Sequence, residues 1–430
     1  MIFRIIGFTL IYLQIERVTD NQVVRFLTIA FILGIAVNDY RKTKHLFPYS
    51  AVDKTLVVFV LITVVSLLRT ASPVSTTINV IYSVAVYLTY SFFILTSYVY
   101  LVSSRSLDWK KVVAYTMFYP LAIFVSLNLL LWSLGIKISS FVVIENTTEA
   151  VMLSKFGIHI QRVIFPLSGG GLNTYGDIVG ALLLVVLVMT IQKLKLINIL
   201  VIFIALASIL LVDDRSFLFN AIVGSFIMYY ISKTRLFKYS KIMPVYLIAA
   251  PFLLLYLLPI IYTSVSSSLL RTDEKESLAR VLVWTKSTEV LSDFRWMDVI
   301  GYGEYGHYSS GASKLWAYFF KDWARPNYIS PHNTFFSTVY DIGYIGVIVT
   351  FMLIRKSIIY AIRLWKMGGE MFLPLLIVGF WCYYLLSSAT ETLNGFYSPG
   401  MIYLFQSVLI ISGFSKYERT FTIQTETVYQ

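Results

Sequence analysis

The segment 330-SPHNTFFSTVYDIGYIG sets a histidine and an asparagine directly after a proline and directly before a long apolar run. Proline restricts its own backbone and favours a break in the preceding structure, so His332 and Asn333 read as the start of a helix. An imidazole there suits a general base, because its pKa lies near neutrality. It equally suits a plain structural role at a helix end. Asp341 follows nine residues later, which is about 900° of turn and roughly 13.5 Å along a straight helix. It therefore points away from His332 and reads as a support of that helix, not as the carboxylate that orients the ring. The face shared with His332 runs through Phe335, Phe336, Val339, Gly343 and Gly346, and its glycines suit close helix packing.

Arginines supply the complementary chemistry. A guanidinium offers a permanently charged fork that matches phosphate oxygens. Arg215 lies in 213-DDRS, a very short turn between two apolar runs, where Asp214 is placed to cap the following helix and Asp213 to pair locally with Arg215. Arg280 and Trp284 are four apart in 277-SLARVLVWTKSTEVLS, an amphipathic pattern with Ser277 as its expected N-cap. The pair fits an interfacial anchor as well as a site. Arg325 is a further cation of the same external segment, close in sequence to His332. The glycines of 300-IGYGEYGHYSSG either cradle a phosphate or only turn the chain, and the same two uses are open to 168-SGGGLNTYGD, which carries Asn173 into an apolar run. The four histidines are scattered and no Asp-x-Asp spacing stands beside them, so no metal is expected.

The elements that must position these residues are membrane helices. With 57% hydrophobic and 13% charged residues and a mean hydropathy of +0.74, the chain of 430 residues is too apolar for an ordinary soluble domain. Apolar runs of spanning length recur, and in lipid they must be helical. The expected fold is an all-α polytopic membrane protein with about twelve spans, near 2–15, 22–37, 54–70, 78–102, 111–134, 173–192, 196–212, 216–232, 243–262, 333–354, 371–388 and 398–414. No cleavable signal peptide is expected at 2-IFRIIGFTLIYLQ. Alternate connections are basic, as at Arg41 and Lys42, Lys110 and Lys111, Lys193 and Lys195, and Arg355 and Lys356, which places them in the cytoplasm. The net charge of +12 sits mostly in these short loops, so nucleic acid is not an expected partner. Between helices 1–262 and 332–414 lies a large external segment, 263–331, holding the amphipathic helix 277–291. A second external loop covers about 135–172, and 415–430 form a cytoplasmic tail. The single cysteine, Cys382, excludes an intrachain disulfide.

Four features in order, GGGLNTYGD, DDRSFLFNAIVG, R-x-x-x-W followed by GYGEYG, and HNTFFSTVYDIGYIG, make the chain resemble the O-antigen ligase and O-antigen polymerase superfamily of bacterial envelope proteins. The resemblance covers residues 165–350 in detail. It departs from the family's usual pattern in Asp341, where Glu is commoner, and in the acids before Arg215. It implies a metal-independent multispan glycosyltransferase of the cytoplasmic membrane, without a cofactor, whose site faces the outside. The donor would be an undecaprenyl-pyrophosphate-linked glycan, with a chain-length regulator as a further partner, and transfer would invert the sugar carbon. Carried over, Arg215 and Arg280 would bind pyrophosphate, His332 would activate or orient the acceptor hydroxyl, and Asn173, Trp284, Asn333 and Asp341 would support them. A repeat-unit polymerase is the leading expectation, with a ligase acting on lipid A core and a multispan transporter as the alternatives. Against the transporter stand the lack of a visible two-half repeat and the dominance of one external loop.

Overall fold

The computed structural model describes residues 1–14, 18–19, 21–43, 54–70, 77–103, 109–136, 149–168, 172–192, 195–233, 274–321, 326–366 and 372–393. They are helices joined by turns, and among them the one strand-like contact is an isolated bridge between Glu149 and Gln161. The long helices are α1 (Ile2–Leu13), α2 (Gln22–Thr43), α3 (Lys54–Leu68), α4 (Thr77–Ser103) and α5, which joins Trp109–Val113 to Tyr119–Ser133 through a π-helical turn at Ala114–Phe118. They continue with α6 (Leu172–Gln192), α7 (Leu196–Val212), α8 (Arg215–Lys233), α9 (Glu274–Ser292), α10 (Thr334–Lys366) and α11 (Phe372–Thr390).

Among the described residues, six helices are long and apolar enough to cross a membrane, namely α2, α4, α5, α6, α10 and α11. Helices α1, α3 and α7 are shorter apolar helices. The twelve expected spans are therefore not all accounted for, and the expected spans 243–262 and 398–414 lie outside the described residues. The chain is nonetheless a membrane-embedded helical protein. Its helices leave apolar side chains open at every third or fourth position: Ile197, Leu200 and Phe203 on α7, Phe219, Ile222 and Phe226 on α8, and Ile345, Ile348 and Met352 on α10. Such stripes suit contact with lipid and would be costly in water.

Helix α6 is the centre of one packed group. Its run Ala181–Val186 is buried on all sides, with α7, α8 and α11 against it, and α10 packs on α11. Helices α2 and α4 pair in a second group with α1 and α5 nearby, and α3 links α4 to α10. One buried ion pair clasps the second group. Arg4 Nε donates to Asp39 Oδ2 at 2.7 Å and its Nη2 to Oδ1, Ser97 Oγ donates to Oδ2 at 3.2 Å, and the guanidinium lies 3.5 Å over the Tyr100 ring. The fork and the extra donor are what keep such charges tolerable away from water. The clasp ties α1, α2 and α4 at the bundle end that carries Arg41 and Lys42.

Two expectations about helix ends change. Helix α9 begins at Glu274, so Ser277 lies in its first turn instead of capping it. Helix α10 begins at Thr334, and it is not straight: Gly343 has φ 82° and ψ 177° and breaks it into two pieces. Gly343 is therefore a break in the helix rather than a member of one helical face with His332.

Candidate functional site

The Pro331–Asn333 turn is built by its neighbours. Asn333 Oδ1 accepts the amides of Phe335 and Phe336 at 2.9 and 3.2 Å, so Asn333 is the N-cap and His332 stands outside the helix. His332 has φ 48°, an uncommon setting for a residue with a side chain. It persists because both flanks are held. Trp284 Nε1 donates to the Pro331 carbonyl at 3.0 Å, and Asn333 Nδ2 donates to the Ala389 carbonyl at the end of α11 at 2.9 Å. Trp284 is buried, so here it props the turn and does not act as an exposed interfacial anchor. Trp284→Phe keeps most of the ring and removes the donor; it is expected to cost about 1–2 kcal/mol, read as a lower Tm in detergent. An unchanged Tm would show that this bond adds nothing.

The centre of the cluster is a residue the sequence reading passed over. Glu391, one residue beyond α11, is buried. Its Oε1 accepts Arg280 Nη2 at 2.6 Å, and its Oε2 accepts Asn173 Nδ2 at 2.8 Å and faces His332 Nδ1 at 3.3 Å. Its backbone carbonyl accepts Thr334 Oγ1 at 2.8 Å, which stitches the end of α11 to the start of α10. Burial by itself would raise the Glu391 carboxyl, but Arg280, His332 and Asn173 outweigh it and hold it below the ordinary glutamate range. Glu391 falls in 389-ATETLNGFYSP, a stretch whose poverty in basic residues drew attention away from its acid. The available signal was the need of Arg280 and His332 for a countercharge.

With Glu391 ionised, the 3.3 Å contact directs the hydrogen on His332 Nδ1 to the carboxylate and leaves Nε2 as the ring nitrogen that does not face Glu391. Arg280 brings a guanidinium to the same carboxylate with 35% of its side chain exposed, and His332 is 23% exposed. A partly open imidazole and a partly open guanidinium, both fixed on one buried carboxylate, can take a proton and meet an anion respectively.

The 213–215 turn borders this cluster. Asp213, with φ 56°, ends α7 and accepts the Met152 amide at 2.9 Å. Asp214 Oδ1 accepts Ser216 Oγ at 2.9 Å and the Phe217 amide at 3.5 Å, the capping role expected of it. Arg215 stands 4.0 Å from Asp213 Oδ2, so the local pair is formed, and the structure does not draw Arg215 onto Glu391. Burial raises the Asp214 carboxyl to about 7, helped by repulsion from Glu391 and opposed by Ser216, Phe217 and Arg162. Arg162, not singled out from sequence, donates Nε to the Val212 carbonyl at 2.9 Å and so adds a cation at this rim.

The glycine segment 301–306 is occupied by protein. The Tyr302 amide donates to the Tyr340 carbonyl at 2.7 Å, the Gly303 amide to the Asp341 carbonyl at 3.0 Å, and the Gly306 amide to Asp341 Oδ1 at 2.9 Å. Asp341 Oδ2 also accepts Ser337 Oγ at 3.3 Å, and Ser66 Oγ donates to the Asp341 carbonyl. The Tyr302, Gly303 and Ser66 donors meet backbone carbonyls next to the break at Gly343, while Gly306 and Ser337 hold the Asp341 carboxylate. The segment therefore grips α10 and is no phosphate cradle, and Asp341 serves that grip. His307, at its end, is buried and depressed to about 4 by desolvation and the charge of His332, against a hydrogen bond to the Tyr328 carbonyl at 3.3 Å.

Arg325 and Gly169–Gly171 lie outside the described residues. Among the described residues no three His, Cys, Asp or Glu side chains are grouped to hold a metal ion. Fold and site together define a helical membrane-embedded protein in which Arg280, His332 and Asn173 gather on the buried Glu391. No family model matches the chain, and no curated protein matches its sequence.

Proposed function

We propose that the protein polymerises lipid-linked oligosaccharide repeat units of an O-antigen, capsule or exopolysaccharide, at the outer face of the cytoplasmic membrane. The observation that carries this reading is the meeting of Arg280 and His332 on the buried Glu391. The resemblance of the four sequence motifs supplies the substrate class, and twelve spans remain the expected total. The proposed sidedness rests on the basic connections at Arg41 and Lys42 and at Lys110 and Lys111, which the positive-inside rule assigns to the cytoplasm; on this reading the cluster faces outward.

In the proposed reaction an acceptor sugar hydroxyl attacks the anomeric carbon of the donor. The new C–O glycosidic bond forms as the bond from that carbon to the pyrophosphate oxygen breaks, and the hydroxyl proton passes to His332 Nε2. The leaving undecaprenyl pyrophosphate carries the negative charge, which Arg280 and Arg215 meet, with Arg325 as a further candidate. Forked, permanently charged donors are suited to that load, and so is their placement before charge develops. Asn173 and Glu391 hold the ring and guanidinium in register.

The test is transfer by the purified chain in detergent, with a lipid-linked repeat unit as donor and EDTA present. Elongated glycan is the expected product. Transfer only to lipid A core would make it a ligase, and no transfer to either acceptor would sink the enzymatic reading. Arg280→Lys is expected to lower turnover about ten- to hundredfold, and His332→Ala about 10²–10⁴-fold. Wild-type rates in either variant, with normal folding, would remove that residue's role.

A further inference from the structure

Beyond α9 the chain turns at residues 293–296, where Phe294 is 63% and Trp296 68% exposed. Large aromatics left open between helices ask for a covering surface. Their position says which one. Phe294 stacks on Tyr344 with ring centroids 6.3 Å apart and planes 27° from parallel. Tyr344 is the first residue after the break at Gly343, and it heads the open stripe Ile345, Ile348 and Met352 on α10, a helix long and apolar enough to cross a membrane. The turn therefore continues a lipid-facing surface.

The depth of the turn can be read from α3, which runs beside this part of α10. Lys356 contacts Thr55 at one end of α3 and Ser66 contacts the Asp341 carbonyl at the other. Arg69, just past that second end, donates to the Ile300 carbonyl at 3.3 Å. Arg69 and Asp341 thus share one level, and Tyr344 with Phe294 lies just beyond it along α10, across the break and at the head of the open apolar stripe. Arg295, between the two aromatics, stays 41% exposed but turns its guanidinium to neighbouring protein groups: it donates to the Ser310 carbonyl at 3.1 Å and stands 3.6 Å from Asp298. The aromatic pair is the apolar part of a turn whose Ser292, Asp293 and Arg295 are also open, a mixture that suits the boundary between headgroups and acyl chains, which tryptophan in particular favours.

We infer that Phe294 and Trp296 form a lipid anchor, seated in the leaflet on the Glu391 side of the bundle, which fixes the depth at which residues 297–306 grip the broken helix α10. The anchor does not depend on the activity proposed above. Its test is a nitroxide at Trp296→Cys in the full chain, reconstituted in vesicles of phosphatidylcholine and phosphatidylglycerol. Cys382 is buried, so the label reports on the introduced site. Relaxation by oxygen, which concentrates in lipid, should exceed relaxation by a nickel chelate confined to water. Dominance of the nickel chelate would place the turn in water, and shielding from both would place it under a protein surface such as a second copy; either overturns the anchor. If the cysteine variant does not assemble, acyl-brominated lipids provide the second measurement. They should quench less of the total tryptophan emission in Trp296→Phe than in the wild type, and equal quenching overturns the anchor as well.

Discussion

Glu391→Ala is expected to cost about 3 kcal/mol of stability and to bring transfer to background. The magnitude is the lower end of what breaking a buried ion pair costs, because a third of the Arg280 side chain is open to solvent. Removing the carboxylate leaves the Arg280 charge, the Asn173 amide and the His332 ring hydrogen without the acceptor they share. Glu391→Gln separates charge from shape. It keeps an oxygen for Asn173 and loses the ion pair, so its Tm should fall between those of the alanine variant and the wild type. Equal thermal unfolding of all three in detergent would show that the cluster holds nothing together.

The same carboxylate sets a pH dependence. Glu391 is held below the ordinary range, so the stability it lends is present above the usual glutamate value of about 4.3 and is lost as pH falls through its depressed value. The Tm gap between wild type and Glu391→Gln should therefore close in acid below about pH 4. Asp214 acts with the opposite sign. Its folded value is raised to about 7, so its favourable term is complete below about 4 and fades as pH climbs toward 7. Asp214→Asn should flatten that decline while leaving the acid limb in place.

Gly343→Ala is expected to abolish the folded protein, with a penalty of at least about 3 kcal/mol. Its φ of 82° with ψ of 177° is a backbone setting open almost only to glycine. An added Cβ would also overlap the Val299 carbonyl oxygen and lie 2.5 Å from the amide nitrogens of Ile300 and Gly301, which are backbone atoms that cannot swing aside. The break it permits is what exposes the Tyr340 and Asp341 carbonyls to the 301–306 amides. Gly34→Ala in α2 is the matched control. Nothing lies within 4 Å of a Cβ there, so it should be neutral or gain up to about 1 kcal/mol from helix propensity. Monodispersity and Tm of the two variants in detergent decide the matter, and a Gly343→Ala protein as stable as Gly34→Ala would refute the grip.

What the sequence determined by itself is the membrane character and the course of most helices. In hydrocarbon each segment must satisfy its own backbone, so span length and apolarity are written locally, as in LINILVIFIALASILLV of α7. Types and spacing also singled out Arg280, His332 and Asn333, because forked cations, imidazoles and caps stand out in so apolar a chain, while Asn173 came only with the resemblance of its motif. What only the tertiary structure decided is how they meet. Asn173, Arg280 and His332 reach Glu391 across 218, 111 and 59 residues, and no periodicity spans such distances. Helical spacing likewise assumes a straight axis, so Gly343 read as a packing residue and the glycine segment as a possible anion cradle. The break in α10 assigned both to one another, since carbonyls released from a helix must find donors, and in this fold the donors come from residues 302 and 303, with the Gly306 amide on the Asp341 carboxylate beside them.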